Sequence, residues 1–461
     1  LTQNNIITSE LEKFMKEHGY TFQYFSKLTK INVGTLSALV NGNRSLAMGQ
    51  LDKITAGMGL PPDAFYDAYI DDFFLHSPPN WRRLKPFLYR CAELNRIDCI
   101  ERVIGLTMDT LAYIPQLFET AEDFFRLDYY DASRILYKVI AECEKYQRSE
   151  RLALCQYRLF LLSIGEDYTE TVRAAAIFEN YIDNLSEEIE LDAIKDLATT
   201  YLRLKDWSRL DLLAEKLTIK AQSYYQYKHH SSKKNSFTLK IKQPLFSYIL
   251  EGYYLRAKVC GQQQNYEMAL HYTTLYRNLE CVEDHVEEAE TWINYYRERA
   301  TIDTFQYQLM MGKIQVLSTY LDYISNQESE ILPALVIIVQ AANKYNFEIE
   351  PILHRFQSYL LSLDVEQLMH MSQTSLDDAY ISFFIELASF YIEKGSYAEG
   401  IKCILDGLTL AIRFSQAGEI IKCVTLFEKY RNLTSKSEQN RYHHLICAVS
   451  SHHESKPVVS V

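Results

Sequence analysis

The 461-residue chain has only 15 glycines and 10 prolines. That is too few for a turn-rich β-sandwich or a glycine-loop α/β enzyme, and it favours long helices. Metalloprotease HExxH, nucleophile-elbow GxSxG, dinucleotide GxGxxG and phosphate-loop patterns do not occur, so nothing asks for an enzyme and no cofactor is expected. The nine cysteines are scattered without a CxxC pair, and most fall in apolar helical patterns where a reduced thiol behaves as a small hydrophobe. No run of eighteen apolar residues and no secretory core opens the chain, so the expectation is a cytoplasmic protein without a membrane span. His443-His444 and His452-His453 sit in a polar stretch and read as a solvated tail with no metal. The acid pairs Glu187-Glu188 and Glu287-Glu288 open helices, where the helix dipole favours them.

Tyrosine, by contrast, is abundant at 35 residues; its ring packs between helices while the hydroxyl stays available to a groove. Hydrophobic content of 48% against 23% charge describes a folded chain, and its length calls for a small domain plus a large or repetitive one. The net charge of −12 is uneven. Residues 1–70 carry six cations (Lys13, Lys16, Lys27, Lys30, Arg44, Lys53) against six acids (Glu10, Glu12, Glu17, Asp52, Asp63, Asp67), so the excess acid lies downstream. An acidic body repels a polyanion and confines contact to the neutral N-terminal module.

That module reads as five short helices. Ser9 and Glu12 form a capping box, with Leu11, Phe14, Met15 and His18 following at helical spacing. Gly19 ends the first helix. Thr21 caps a second that is expected to bury Phe25 and Leu28, with the small Ser26 at a close approach. Lys30-Ile31-Asn32 is a turn, and Asn32 caps a third helix with Leu36 and Leu39 inward, ended by Asn41-Gly42-Asn43. A fourth buries Met48, Leu51 and Ile54; Pro61-Pro62-Asp63 opens a fifth carrying Phe65.

Thr21, Phe25-Ser26, Ile31-Asn32, Leu36-Ser37, Asn41 to Arg44 and Leu51 to Ile54 together resemble the Xre/Cro-repressor family of helix-turn-helix domains. Two positions depart from it: the usual turn glycine is Lys30, and Val40 replaces an acidic residue common late in the recognition helix. The resemblance implies that helix 33–41 enters the major groove of a double-stranded, two-fold operator. Its outward residues are Val33, Gly34, Thr35, Ser37, Ala38 and Asn41. None makes the strong bidentate base contacts of Arg or Gln, whereas Val33, Ala38 and the Thr35 methyl suit thymine methyls. Thr21, Asn32, Lys27, Lys30, Asn41, Asn43 and Arg44 complete the expected DNA-binding set, the cations and amides chiefly on phosphates. Modest intrinsic specificity follows, supplemented by DNA shape and dimeric binding.

From Asn80 onward one amphipathic helix follows another. Asp128-Tyr129, Asp167-Tyr168 and Asp206-Trp207 form an acid–aromatic pair with a 39-residue period, and Asn265-Tyr266 follows after an insertion, the basic stretch Lys228 to Pro244. Ala388, Tyr391, Gly395, Tyr397 and Ile404 fall at the spacing of a tetratricopeptide repeat. Ala198, Tyr201, Lys205, Trp207 and Ala214 repeat it, and Ala257, Tyr266 and Ala269 do so more loosely. Between Glu287 and Ser375 helices are legible but no register is. The expected architecture is all-α: helix-turn-helix domain 1–70, linker 71–79, tetratricopeptide-like right-handed solenoid 80–434, and polar tail 435–461, in which Tyr442 to Val449 reads as a last helix and the end as frayed.

In domain order and length the chain resembles the RRNPP group of Gram-positive peptide-pheromone receptors. The resemblance implies a homodimeric regulator controlled by a short imported signalling peptide lying along the concave repeat face. Counting concave positions gives Gln156, Phe160, Lys195, Thr199, Tyr254 and Lys258 as groove-lining candidates, and the body's acidity favours a neutral or basic peptide. Two other readings stay open: a body that binds a protein such as a response regulator, and a dimerisation scaffold for a constitutive repressor.

Overall fold

A computed structural model describes residues 6–75, 80–106, 113–165, 168–230, 241–278, 287–362, 377–414 and 416–454. Among them the regular structure is entirely helical. The chain divides into two compact units, 1–206 with 232–242, and 207–231 with 243–461. That boundary falls inside the stretch expected to be one repeat domain.

The first unit holds α1 (Ile6–Glu17), α2 (Phe22–Thr29), α3 (Val33–Val40), α4 (Met48–Gly57), α5 (Tyr66–Ile70), α6 (Trp81–Glu93), α7 (Ile97–Gly105), α8 (Ile114–Arg126), α9 (Tyr130–Cys143), α10 (Glu150–Ser163), α11 (Tyr168–Glu179) and α12 (Glu187–Arg203). From α8 to α11 each helix packs on its successor. The second unit holds α13 (Trp207–His230), α14 (Leu245–Gln262), α15 (Tyr266–Arg277), α16 (Glu287–Met310), α17 (Leu317–Ile324), α18 (Glu328–Tyr345), α19 (Glu350–Arg355), α20 (Gln357–Ser362), α21 (Asp377–Glu393), α22 (Tyr397–Arg413), α23 (Ala417–Tyr430) and α24 (Lys436–Glu454). Neighbours in sequence again pack together from α13 to α16 and from α21 to α23.

One turn recurs in both units. Asn95, Asp128, Lys205, Gln264 and Gly395 each take a left-handed conformation, with φ of 53°, 61°, 58°, 59° and 82°. In each case the next amide donates to the carbonyl five residues back: Arg96 to Cys91, Tyr129 to Phe124, Asp206 to Tyr201, Asn265 to Cys260 and Ser396 to Tyr391. This Schellman closure satisfies carbonyls that a helix end leaves open. The following helix always starts two residues after the left-handed one, at Ile97, Tyr130, Trp207, Tyr266 and Tyr397.

That geometry corrects the acid–aromatic register by one residue. Asp128 matches Lys205, not Asp206, and Tyr130 rather than Tyr129 matches Trp207. Backbone sign marks the repeat, and an acid beside it is incidental. Asp167 lies outside the described residues. In the stretches Ala198 to Ala214 and Ala388 to Ile404, the Tyr201 and Tyr391 carbonyls accept the closing bond, and Ala198, Ala214, Ala388 and Ile404 are buried.

Several boundaries move. Ser9 lies inside α1 rather than at its cap, because Ile7 joins Leu11 and Met15 on the buried face. The fifth helix begins at Tyr66, after the prolines, and runs on through a π-turn, Asp71–Leu75, that buries Phe73 and Phe74. The segment read as a linker is therefore helical to Leu75, and 76–79 lie outside the described residues. Of the basic insertion, 231–240 lie outside the description, while the Lys242 amide donates to Asp192 at 3.3 Å. The last helix starts at Lys436, six residues before Tyr442, because Ser435 and Glu438 form a reciprocal capping box. Tyr442 is buried with its ring stacked 4.0 Å from Phe427. The side chains of His452 and His453, and residues 455–461, lie outside the described residues.

Candidate nucleic-acid interface

Residues 21–45 form two helices held at a fixed angle by a turn with little freedom. Thr21 accepts from the Tyr24 amide at 3.2 Å and starts α2. Phe25 drops fully into the core, and α4 approaches so closely that a Cβ on Gly57 would stand 2.5 Å from Thr29 Cγ2. Lys30 then turns the chain in the left-handed region at φ 56°, ψ 32°. Ser26 Oγ donates to the Ile31 carbonyl at 2.6 Å, tying α2 to the far side of the turn. Asn32 Oδ1 accepts from the Gly34 amide at 2.8 Å and starts α3. Leu36 and Leu39 are buried, which fixes the rotation of α3 and leaves its other face outward.

On that outward side Val33 and Gly34 are exposed and Thr35, Ser37 and Ala38 half-buried. Asn41 Nδ2 donates to Ser37 Oγ at 3.2 Å, which orients the amide at the helix end. A Cβ at Gly34 would stand 3.2 Å from Asn32 Oδ1, so glycine here also protects the cap. Thr21, Lys27, Lys30, Asn32, Asn43 and Arg44 are all exposed. Gly42, at φ 69°, lets the chain leave α3, and the Asn43 and Arg44 amides close on the Ala38 carbonyl.

The expected burial of Leu28 is wrong. It is 49% exposed, beside Tyr24 at 52% on the outer face of α2, because Thr29, not Leu28, faces α4 and donates to the Phe25 carbonyl at 2.8 Å. Tyr24, Ser45 and Arg83 are candidate contacts that the sequence pattern did not single out. Arg83 comes from α6, outside the module, and donates to Ser45 Oγ.

The module is joined to the first hairpin of the body by a seam of arginines and carboxylates. Arg90 pairs with Asp52 at 3.3 Å, Arg96 with Asp63 at 2.7 Å and Asp67 at 3.3 Å, and Arg102 with Asp67 at 3.1 Å and with Asp71. Beneath it Tyr69 stacks 5.4 Å from Phe87 and donates to the Leu46 carbonyl at 3.3 Å. Burial pushes the Tyr69 hydroxyl up to about 12. The seam occupies three of the module's six carboxylates, Asp52, Asp63 and Asp67. The outward surface is therefore more positive than the sequence count suggests. Asp67, Asp98 and Cys99 cluster at metal-ligand distance, but Arg96 and Arg102 already neutralise the two carboxylates.

Four of the six groove candidates lie in the first unit and two in the second. Gln156 and Phe160 border a cavity of about 550 Å³ between α9, α10 and α11, rimmed by Arg134, Lys138 and Arg173. Phe160 is itself fully buried and stacked 5.3 Å from Phe178, so its side chain serves the core. Lys195 and Thr199, on α12, are half-buried and exposed and do not border that cavity. In the second unit Tyr254 is buried, and Lys258 pairs at 2.7 Å with the buried Asp303, which also accepts from the Tyr276 hydroxyl at 2.7 Å. Burial pulls the Lys258 ammonium down, but Asp303, Tyr307 and Tyr254 outweigh it and hold it above its ordinary value. That cation is committed to an internal partner. A one-residue difference in register separates a groove position from a core position, which is the physical reason Phe160 and Tyr254 turn inward.

Residues 10–62 match the profile of the Cro/C1-type HTH DNA-binding domain. No curated protein matches the chain. The N-terminal module is thus a DNA-binding domain of that type, as α2, the Lys30 turn and α3 show in geometry, and the protein is a DNA-binding transcription regulator.

Proposed function

We propose that this regulator binds a two-fold operator as a homodimer and is controlled by a short signalling peptide held by its helical body. The observation that carries the DNA half is the outward face of α3, set by buried Leu36 and Leu39 and flanked by exposed Lys27, Lys30 and Arg44. Phosphate contacts from those cations fix register, while Val33, Thr35 and Ala38 meet base edges through apolar contact. Specificity is correspondingly modest, and thymine methyls are the preferred targets.

The peptide half is supported by the domain order and by the cavity bordered by Gln156. Its rim mixes cations (Arg134, Lys138, Arg173) with acids (Glu142, Glu170), a lining suited to backbone amides and to a terminal carboxylate or amine. A ligand that prefers one arrangement of these helices shifts the equilibrium by that preference alone.

The test is a gel-shift titration with duplexes from the chain's own locus, with and without short synthetic peptides encoded nearby. Expected are binding that weakens steeply with salt and a peptide-dependent change of at least about fivefold in affinity. Peptide-independent DNA binding would leave a constitutive regulator, and capture of a folded protein by the body would point to protein control instead.

A further inference from the structure

We propose that the DNA interface does not end with the helix-turn-helix module but continues onto the first turns of α6, where Arg82, Arg83 and Lys85 form a second phosphate-contacting strip. The proposal rests on the reading of α2–α3 as the DNA reader.

Position comes first. Arg83 donates to Ser45, the residue after Arg44 in the loop leaving α3, and its guanidinium lies 4.9 Å over the Phe73 ring. A second tie, Arg90 to Asp52 at 3.3 Å, lies further along α6. Ser45 and Asp52 are seven residues apart, as are Arg83 and Arg90. The two ties fall in the same order along both segments, so the start of α6 runs in the same direction as the stretch from Ser45 into α4. The Tyr69 hydroxyl on Leu46 fixes the loop between these ties. The start of α6 is thus held against the loop that carries Asn43 and Arg44.

Charge is the second argument. Arg90, Arg96 and Arg102 each pair with carboxylates of the module. Arg82, Arg83 and Lys85 pair with no carboxylate among the described residues, and Arg82 is exposed. Three cations in the opening turns of a helix also oppose its dipole, which favours anions at that end. Arg83 ties down the Ser45 loop and Lys85 lies 5.6 Å over the Tyr89 ring, yet neither contact neutralises the cation. Arg83 spends one donor on Ser45 and keeps others in its planar fork for a phosphate. A module with balanced charge gains here the positive strip that a polyanion requires.

The test is fluorescence polarisation of the full chain with a labelled mixed-sequence duplex about three helical turns long, over about 50–200 mM salt. Expected for Arg82→Ala/Arg83→Gln/Lys85→Ala is a log–log salt slope shallower by roughly 2–3, with the same loss on duplexes of different sequence. Arg82→Glu alone, at an exposed position, keeps the wild-type melting temperature and flattens the slope by about 1 or more. Unchanged slopes in both variants overturn the strip. If the unaltered chain does not bind the duplex, or Lys27→Ala/Arg44→Ala leaves the slope intact, the reading of α2–α3 fails, and the strip with it.

Discussion

Lys30 holds a left-handed conformation at φ 56° that L side chains adopt at a cost of about 1–2 kcal/mol. The surrounding contacts enforce it: Thr29 is buried on one side, Ile31 on the other, and Ser26 bridges the turn. An exposed ammonium at the mouth of the reading helix gives a reason to retain lysine where glycine would relax the backbone. Lys30→Gly is expected to raise stability by about 0.5–1 kcal/mol, the relief exceeding the added freedom of the unfolded chain. It should also flatten the salt dependence of DNA binding by about 0.9. Thermal unfolding and a salt titration check both; a lower melting temperature would mean that the lysine side chain stabilises the turn. Leu28 and Tyr24 carry the opposite lesson, since large apolar side chains need not face inward.

Among elements, the seam between the module and α6–α7 is where charge acts most directly on architecture. Arg96 bridges Asp63, Asp67 and Asp98. Its hydrogen bonds hold the Asp98 carboxyl at about 2, below the ordinary range. A depressed carboxylate stabilises fully above its unfolded value near 3.9 and loses that contribution as pH falls towards the folded value. Arg96→Ala should return the Asp98 titration towards about 4, read by carboxyl NMR. It should also cost about 1–2 kcal/mol, because three carboxylates lose their shared cation. An unmoved Asp98 titration would show that Arg96 does not set it. The seam itself was not legible beforehand, because Asp52 and Arg90 are 38 residues apart in sequence. The caps at Thr21 and Asn32, the buried Leu36 and Leu39 and the Gly42 exit were legible, since each is decided within a few residues. Repeat register was only half legible: small-residue spacing around Tyr201 and Tyr391 announced it, but the left-handed residue at Asp128 carries no compositional mark. Among the groove candidates, the burial of Phe160 and Tyr254 likewise depended on a register that spacing alone did not supply.

For the molecule as a whole, the chain divides into two compact units, with the boundary inside the stretch expected to be one repeat domain. The DNA-reading module belongs to the first of them, and the aromatic layer under its seam runs without a break from Tyr66, Tyr69, Phe73 and Phe74 to Phe87. Excising the reader at residue 70, the boundary expected from the sequence, would peel that layer open and discard the Phe87 lid. Such a fragment should clump on purification and bind hydrophobic dye, whereas one cut after Gly105 should stay monodisperse in sizing experiments. A well-behaved short fragment would mean that the tyrosines shelter one another without help. Engineers grafting this head onto another body must therefore carry the first hairpin along with it, as the hilt goes with the blade.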